Sequence, residues 1–274
     1  MAINFDKVPS YIRREIDPPK KVLKRGSNGR HAKQVQEWLQ FHQCRTGIDG
    51  KYGPATQVCV KDFQALTGLR ETGKIDKATW QALVAPMTTA LAAPKIAATD
   101  AAPSTVRDVA MQHVQQRPHE IGGSNRGPWV RLYCDGNDGS QWAWCAGFVS
   151  FIMQQAYFYR HEKPPIKGSV SCDSLAAQGK EKGLFVPELS VSKNKVPWDR
   201  FGGACLFLRR RTSTDWTHTG IATTASGRGN NLVFHTIEGN TNDEGHREGY
   251  EACERKRSID GSHYDFVSFV PTGP

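Results

Sequence analysis

The sequence has no long apolar run. No stretch approaches the ~18 consecutive apolar residues that a membrane span needs. Residues 1–21 are mixed and charged, without the apolar core of a secretory signal. The expectation is a chain made in the cytoplasm without a Sec signal and with no stable membrane anchor. No CxxC occurs among Cys44, Cys59, Cys134, Cys145, Cys172, Cys205 and Cys253, which argues against a zinc ribbon or a thioredoxin-type redox site. An odd cysteine count with no leader fits free thiols kept in a reducing compartment. The twelve-residue calcium-loop pattern is missing, so Asp135-Gly-Asn-Asp138 reads as a turn. Neither a metal nor a cofactor is expected. No nucleic-acid-binding motif occurs either.

What is present is a soluble, globular composition: 274 residues, 38% apolar and 23% charged, with mean hydropathy −0.55. That length suits one large domain or two modest ones. The formal charge is +9, and it is uneven. Residues 1–84 carry net +7, residues 85–104 net 0, and residues 105–274 net +2. A basic first third suits either a solvated face or docking to an anionic partner.

Val84 to Thr105 is rich in Ala, Pro and Thr. With Pro86, Pro94 and Pro103 it reads as a semi-extended linker. The expected division is an N-terminal extension at 1–21, a first domain at 22–84, a linker at 85–104 and a second domain at 105–274.

The first domain reads as three helices. Arg30 to Gln43 places Val35, Trp38, Leu39 and His42 on one face. A second helix opens with Pro54 after Gly53, carries the stripe Cys59, Val60, Phe63 and Leu66, and closes at Gly68. A third runs from Asp76 to Leu83, with Asp76 as N-cap and Ile75 and Trp80 as a hydrophobic staple. Asp49-Gly-Lys-Tyr-Gly-Pro-Ala-Thr56 aligns without a gap with Thr72-Gly-Lys-Ile-Asp-Lys-Ala-Thr79, two Gly turns that each lead into a helix. With Leu23–Gly26, Val35–Leu39, Gly47–Gly50, Phe63-Gln64, Gly68-Leu69 and Thr79–Leu83, this segment resembles the small helical peptidoglycan-binding domain of cell-wall hydrolases. The resemblance implies a shallow groove for wall polymer. Asp49, Tyr52 and Gln64 are candidates to line it, against the alternative that they serve turns and packing.

In the second domain, helices are expected from Val106 to about Gln116 and from about Trp144 to Tyr159. Ala204–Leu208, Thr219–Thr223, Leu232–Ile237 and Phe266–Val270 read as strands. Helices followed by strands indicate an α+β domain with an antiparallel sheet.

Its chemistry centres on Gln141-Trp-Ala-Trp-Cys145-Ala-Gly-Phe. Cys145 stands where a polar loop meets an apolar helix. A thiol at a helix N-terminus meets the positive end of the dipole, which favours the nucleophilic thiolate. The alternative is a buried structural cysteine. His218, in Trp216-Thr-His-Thr-Gly220, is the candidate base; His235 lies in a denser apolar strand and reads as packed or edge-exposed. Glu238 and Asn240 end that strand two residues apart and share a face if it stays extended. Arg209–Arg211 and Arg255–Arg257 read as charge clusters on wet loops.

The order Cys145, His218, Glu238-x-Asn240, preceded by Glu120-Ile-Gly122, Asn125–Val130 and Tyr133, resembles the CHAP family of cysteine, histidine-dependent amidohydrolases/peptidases within the papain-like and NlpC-like group. The match departs at Gly202-Gly203-Ala-Cys205, where relatives often have Gly-Asp. The resemblance implies Cys145 as nucleophile, His218 as general base and then acid, Glu238 as orienting group and Asn240 as a fourth polar member. Gln141 and Trp142 are candidate second oxyanion donors beside the Cys145 N–H.

Together the two resemblances imply an enzyme that cuts an amide of the bacterial wall, either as an N-acetylmuramoyl-L-alanine amidase or as a stem-peptide endopeptidase. A non-catalytic wall-binding protein and an acyl transferase using the same thioester are the alternatives. The implied partners are peptidoglycan and anionic envelope polymers, with no nucleic acid. Such a chain would reach the wall after phage lysis or through a dedicated secretion system. An injected effector would add delivery machinery and an immunity protein as partners.

Overall fold

The computed structural model describes residues 8–97, 99–242, 249–259 and 263–272. Its helices in chain order are α1 (Ser10–Ile16), α2 (Arg30–Phe41), α3 (Pro54–Leu66), α4 (Lys77–Ala90), α5 (Ala102–Val114), α6 (Pro128–Tyr133), α7 (Cys145–Tyr159), α8 (Cys172–Glu181) and α9 (Glu188–Ser192). The strands are β1 (Phe185–Val186), β2 (Cys205–Thr212), β3 (Asp215–Ser226), β4 (Val233–Thr241), β5 (Glu251–Ser258) and β6 (Tyr264–Ser268). The fold is α+β. Two compact units divide the chain: Ile3–Ala92 with His119–Gln141, and Ala93–Pro118 with Trp142–Pro274. The first boundary, between Ala92 and Ala93, falls inside the expected linker, but residues 119–141 pack with the N-terminal helices.

In the first unit, α2 buries Val35, Trp38 and Leu39 as its periodicity requires. The inward face of α3 keeps only Val60 and Phe63 of the apolar stripe read from sequence. Thr56, Val60, Phe63 and Gln64 point inward, while Leu66 is 79% exposed. Hydrogen bonding explains the choice. The Gln36 amide nitrogen donates to the Asp49 carboxylate, the Lys51 carbonyl and the Thr56 hydroxyl at 2.8, 3.0 and 3.2 Å, and its oxygen accepts from Gly50 N–H at 2.8 Å. Gln64 repeats the pattern on the Thr72 hydroxyl, the Lys74 carbonyl, the Thr79 hydroxyl and Gly73 N–H, at 3.2, 2.9, 2.9 and 2.9 Å. The two echoed turns are thus each clamped by a helix glutamine around a glycine with φ of +71° or +61°.

Helix α4 starts at its expected cap, with the Asp76 carboxylate accepting from Thr79 N–H at 2.8 Å. It then runs past Leu83, through Pro86, to Ala90. The proline removes one i→i−4 bond, but burial of Met87, Ala90 and Leu91 holds the helix in place. The expected linker is therefore helical at both ends, since Pro103 lies in the first turn of α5, where its missing N–H is harmless. The N-terminal extension is tied down as well: Trp80 Nε1 donates to the Ile16 carbonyl at 2.8 Å.

Arg131 of α6 anchors residues 119–141. Its guanidinium pairs with both Glu15 oxygens at 2.9 Å, with Glu37 at 2.6 Å and with Asp138 at 2.9 Å. Glu15 and Glu37 are buried. Burial raises the Glu37 pKa against the pull of Arg131. Asp138 also accepts from Gly127 N–H at 3.2 Å, so the turn Asp135–Asp138 is spent internally.

Among the described residues, the second unit is built on a six-stranded antiparallel sheet in the order β1-β6-β2-β3-β4-β5. Helix α7, buried along most of its length, packs on β3 and β4. An aromatic cluster of Phe201, Phe207, Phe234, Tyr264 and Phe266, with Trp198 beside it, fills part of the core. The first three expected strands are present and run several residues longer, while the fourth lies two residues earlier, at Tyr264–Ser268. Strand β5, α6 and α8 were not expected from sequence.

Candidate active site

Cys145 is the first residue of α7 and is 5% exposed. A small loop holds it there. Trp144, just before it, is fully buried, and its backbone N–H donates to the Asn240 side-chain oxygen at 3.2 Å. The Asn240 amide donates to the Gly249 carbonyl at 2.8 Å. Asn240 has φ +53°, which breaks the simple alternation that would put it beside Glu238. It thus braces the start of α7 through the residue before Cys145.

Strand β3 brings His218 close enough to Cys145 for each to shift the other's titration. His218 Nε2 meets Glu238 Oε2 at 2.8 Å. With Nε2 so engaged, Nδ1 is the nitrogen left to face the sulfur. The register brings Gly220 beside Glu238, since Ile221 stands opposite Ile237 and Ala222 opposite Thr236. A Cβ at Gly220 would lie 2.7 Å from Glu238 Cγ and 2.5 Å from the Phe207 ring, so only glycine lets the carboxylate pass. Gly239 plays the same part against α7, where a Cβ would lie 2.6 Å from Phe148 and 2.8 Å from Trp144.

Glu238 is fully buried and fully engaged. Besides His218 it accepts from Arg257 Nε at 2.9 Å, from Arg257 Nη2 at 2.6 Å and from the Thr236 hydroxyl. Burial alone would raise its pKa, but the His218 and Arg257 interactions overcome it and bring the carboxyl down to about 2. Burial likewise opposes charge on His218, but its interactions with Cys145 and Glu238 lift it to about 9. The Cys145 thiol lies well below its ordinary value. The chief cause is the hydrogen bond shared with Cys172, whose sulfur lies 3.9 Å away; burial opposes it, and His218 and the Thr219 N–H reinforce it. The state these interactions favour is a thiolate–imidazolium pair with a carboxylate behind it.

The structure thus brings Cys145, His218 and Glu238 together. Trp142 is half-buried three residues before Cys145, and Gln141 is exposed and belongs to the other compact unit. His235 is exposed on β4. Tyr52 and Gln64 were candidate groove residues, but both are buried within the first unit. The Tyr52 hydroxyl donates to the Gly73 carbonyl at 3.1 Å, and Gln64 is the second turn clamp. Asp49 is exposed, but its carboxylate accepts from Lys51 N–H and Gln36 at 2.8 Å, which lowers its pKa and fixes the turn.

Sequence reasoning missed two members of the site. Arg257 lies on β5 and closes on Glu238, so the cluster Arg255–Arg257 is not a wet loop. Arg210, from the other basic cluster, pairs through Nη1 with both oxygens of buried Asp265 at 2.9 Å. Cys172 begins α8 with its Sγ 3.9 Å from that of Cys145. The Ser171-Cys-Asp-Ser174 run was a legible cap signal for that helix, since Ser171 accepts from Ser174 N–H at 3.3 Å.

Residues 28–83 match the family described as "Putative peptidoglycan binding domain". This peptidoglycan-binding domain associates the chain with the bacterial cell wall, and it contains both glutamine-clamped turns. No curated protein and no solved structure matches the chain.

Proposed function

We propose that the protein is a peptidoglycan hydrolase that cleaves an amide of the bacterial wall through Cys145, His218 and Glu238. The observation that carries this reading is His218, held by Glu238 at 2.8 Å and acting on the titration of Cys145 at the start of α7, in a chain whose residues 28–83 match a peptidoglycan-binding family. The Cys145 thiolate attacks the amide carbonyl. The backbone N–H of Cys145, at the free start of α7, stabilises the oxyanion. The His218 imidazolium protonates the leaving amine, and the neutral imidazole then activates the water that clears the thioester. Glu238, kept ionised by Arg257, holds the ring and its charge throughout. The bond cut is an N-acetylmuramoyl-L-alanine amide or a stem-peptide bond. The substrate is met after phage lysis or export by a dedicated secretion system.

The test is clearance of a suspension of purified sacculi. The wild-type protein is expected to lower turbidity, and Cys145→Ala, checked for an unchanged melting temperature, to lose at least a thousandfold in rate. Thiol alkylation should abolish clearance and chelation should not. Full activity of Cys145→Ala would sink the mechanism.

A further inference from the structure

A second thiol meets the Cys145 sulfur from another helix. Cys172 opens α8 as Cys145 opens α7, both sulfurs are buried, and they lie 3.9 Å apart. The start of α8 is fixed relative to the histidine strand. The Asp173 carboxylate accepts the backbone N–H of Trp216 at 2.7 Å, two residues before His218. The groups that bear on the Cys145 sulfur are His218 and the Thr219 N–H from β3 and Cys172 from α8. Behind them stand Asp173 of α8, Glu238 of β4 and Arg257 of β5. The two sulfurs are not equivalent. Cys145 has an imidazole beside it, whereas the bond with Cys145 and burial, with the Asp173 carboxylate adding to them, hold the Cys172 thiol well above its ordinary value. One sulfur therefore carries the charge and the other keeps its proton.

We propose that Cys172 is a positioning residue of this site: its S–H donates to the Cys145 sulfur and, together with His218, holds the thiolate in place. The Cys145 thiolate then has donors from two elements, which keeps it anionic and aimed while it waits for substrate. This rests on Cys145 being the nucleophile, but it concerns the thiolate itself and can be read without peptidoglycan.

The experiment is alkylation of the full-length reduced protein by iodoacetamide across pH 4–10, with each cysteine followed by peptide mass mapping. In the wild-type protein Cys145 should label before Cys172, with a rate that stays on a plateau below neutral pH. In Cys172→Ala the acid edge should move up by about one pH unit, so that Cys145 labels about tenfold more slowly at pH 6. Cys172→Ser, which keeps a donor, should recover part of that loss at an unchanged melting temperature. The proposal is overturned if Cys172 labels first in wild type, if Cys172→Ala leaves the profile unmoved, or if serine does no better than alanine. The wild-type order of labelling decides the matter even where a variant does not fold. Should the labelling follow the expectation while sacculi remain uncut, the positioning role stands and the hydrolase reading fails.

Discussion

His218 is charged against the grain of its surroundings. Burial would keep the ring neutral, and only the Cys145 and Glu238 contacts hold its pKa at about 9. A pKa raised in this way keeps the imidazolium present below that value and loses it as pH rises through it. The proton wanted by the leaving amine therefore disappears near pH 9. Rate against pH should show an alkaline limb there, and Glu238→Gln should move that limb down toward the ordinary histidine value of about 6.5. A wild-type limb already near 6.5 would contradict the assigned pairing. The acid limb should lie below the ordinary thiol range, because the Cys145 pKa is depressed. Glu238 adds the opposite sign for folding. Its carboxyl is lowered to about 2, so its contribution is full above the unfolded value and is lost as pH falls through 2. At this scale the sequence disclosed the groups that carry local signals. Cys145 stands at a loop-to-helix junction, His218 two places before a glycine, and Glu238 at a strand end. Arg257 and Cys172 were illegible because their role lies in partners 19 and 27 residues away.

Among the elements, α6 carries a buried ionic cluster. Its Arg131 is the shared cation of Glu15 and Glu37, two carboxylates with 2% and 4% of their side chains exposed. Removing one partner of a buried ionic cluster leaves uncompensated charge, at about 3–5 kcal/mol. Arg131→Ala should lower the unfolding free energy of its unit by about that amount in denaturant titration. A loss under ~1 kcal/mol would mean that the cluster behaves as a surface pair. The elements that were legible have a clean apolar period, as in α2, or a cap, as in α4. The α3 stripe misled because Thr56 and Gln64 turn inward to bond turns, a preference that hydrophobicity does not record. Strand β5 escaped notice because Arg255, Lys256 and Arg257 mask its alternation.

Over the whole molecule, the positive charge is concentrated where the wall binder lies. Residues 119–141 bring Glu120, Asp135 and Asp138 against Arg126 and Arg131, so the first unit carries net +6 where residues 1–84 carry +7. Bacterial envelopes are anionic, and exposed charges are screened over ~10 Å at 0.1 M salt but ~3 Å at 1 M. Binding of full-length Cys145→Ala to purified sacculi should weaken steadily across that range in a pelleting assay. Binding that ignores salt would assign docking to the shape of the first unit alone. The full chain is the right probe, because a fragment ending at 84 lacks Arg131 and would leave Glu15 and Glu37 without it. That dependence joins residues 116 and 94 apart in sequence, so the composition shift at the linker could not reveal it.

The central claim is that Cys145 drives hydrolysis of a wall amide, and mass spectrometry of the soluble products tests it most directly. Sacculi treated with wild-type protein should release fragments that have gained one water at an amide, with a new amine and a new carboxyl. Those fragments should be missing after treatment with Cys145→Ala. Release of the same fragments by Cys145→Ala, or products cut in the glycan with every amide intact, would contradict the account.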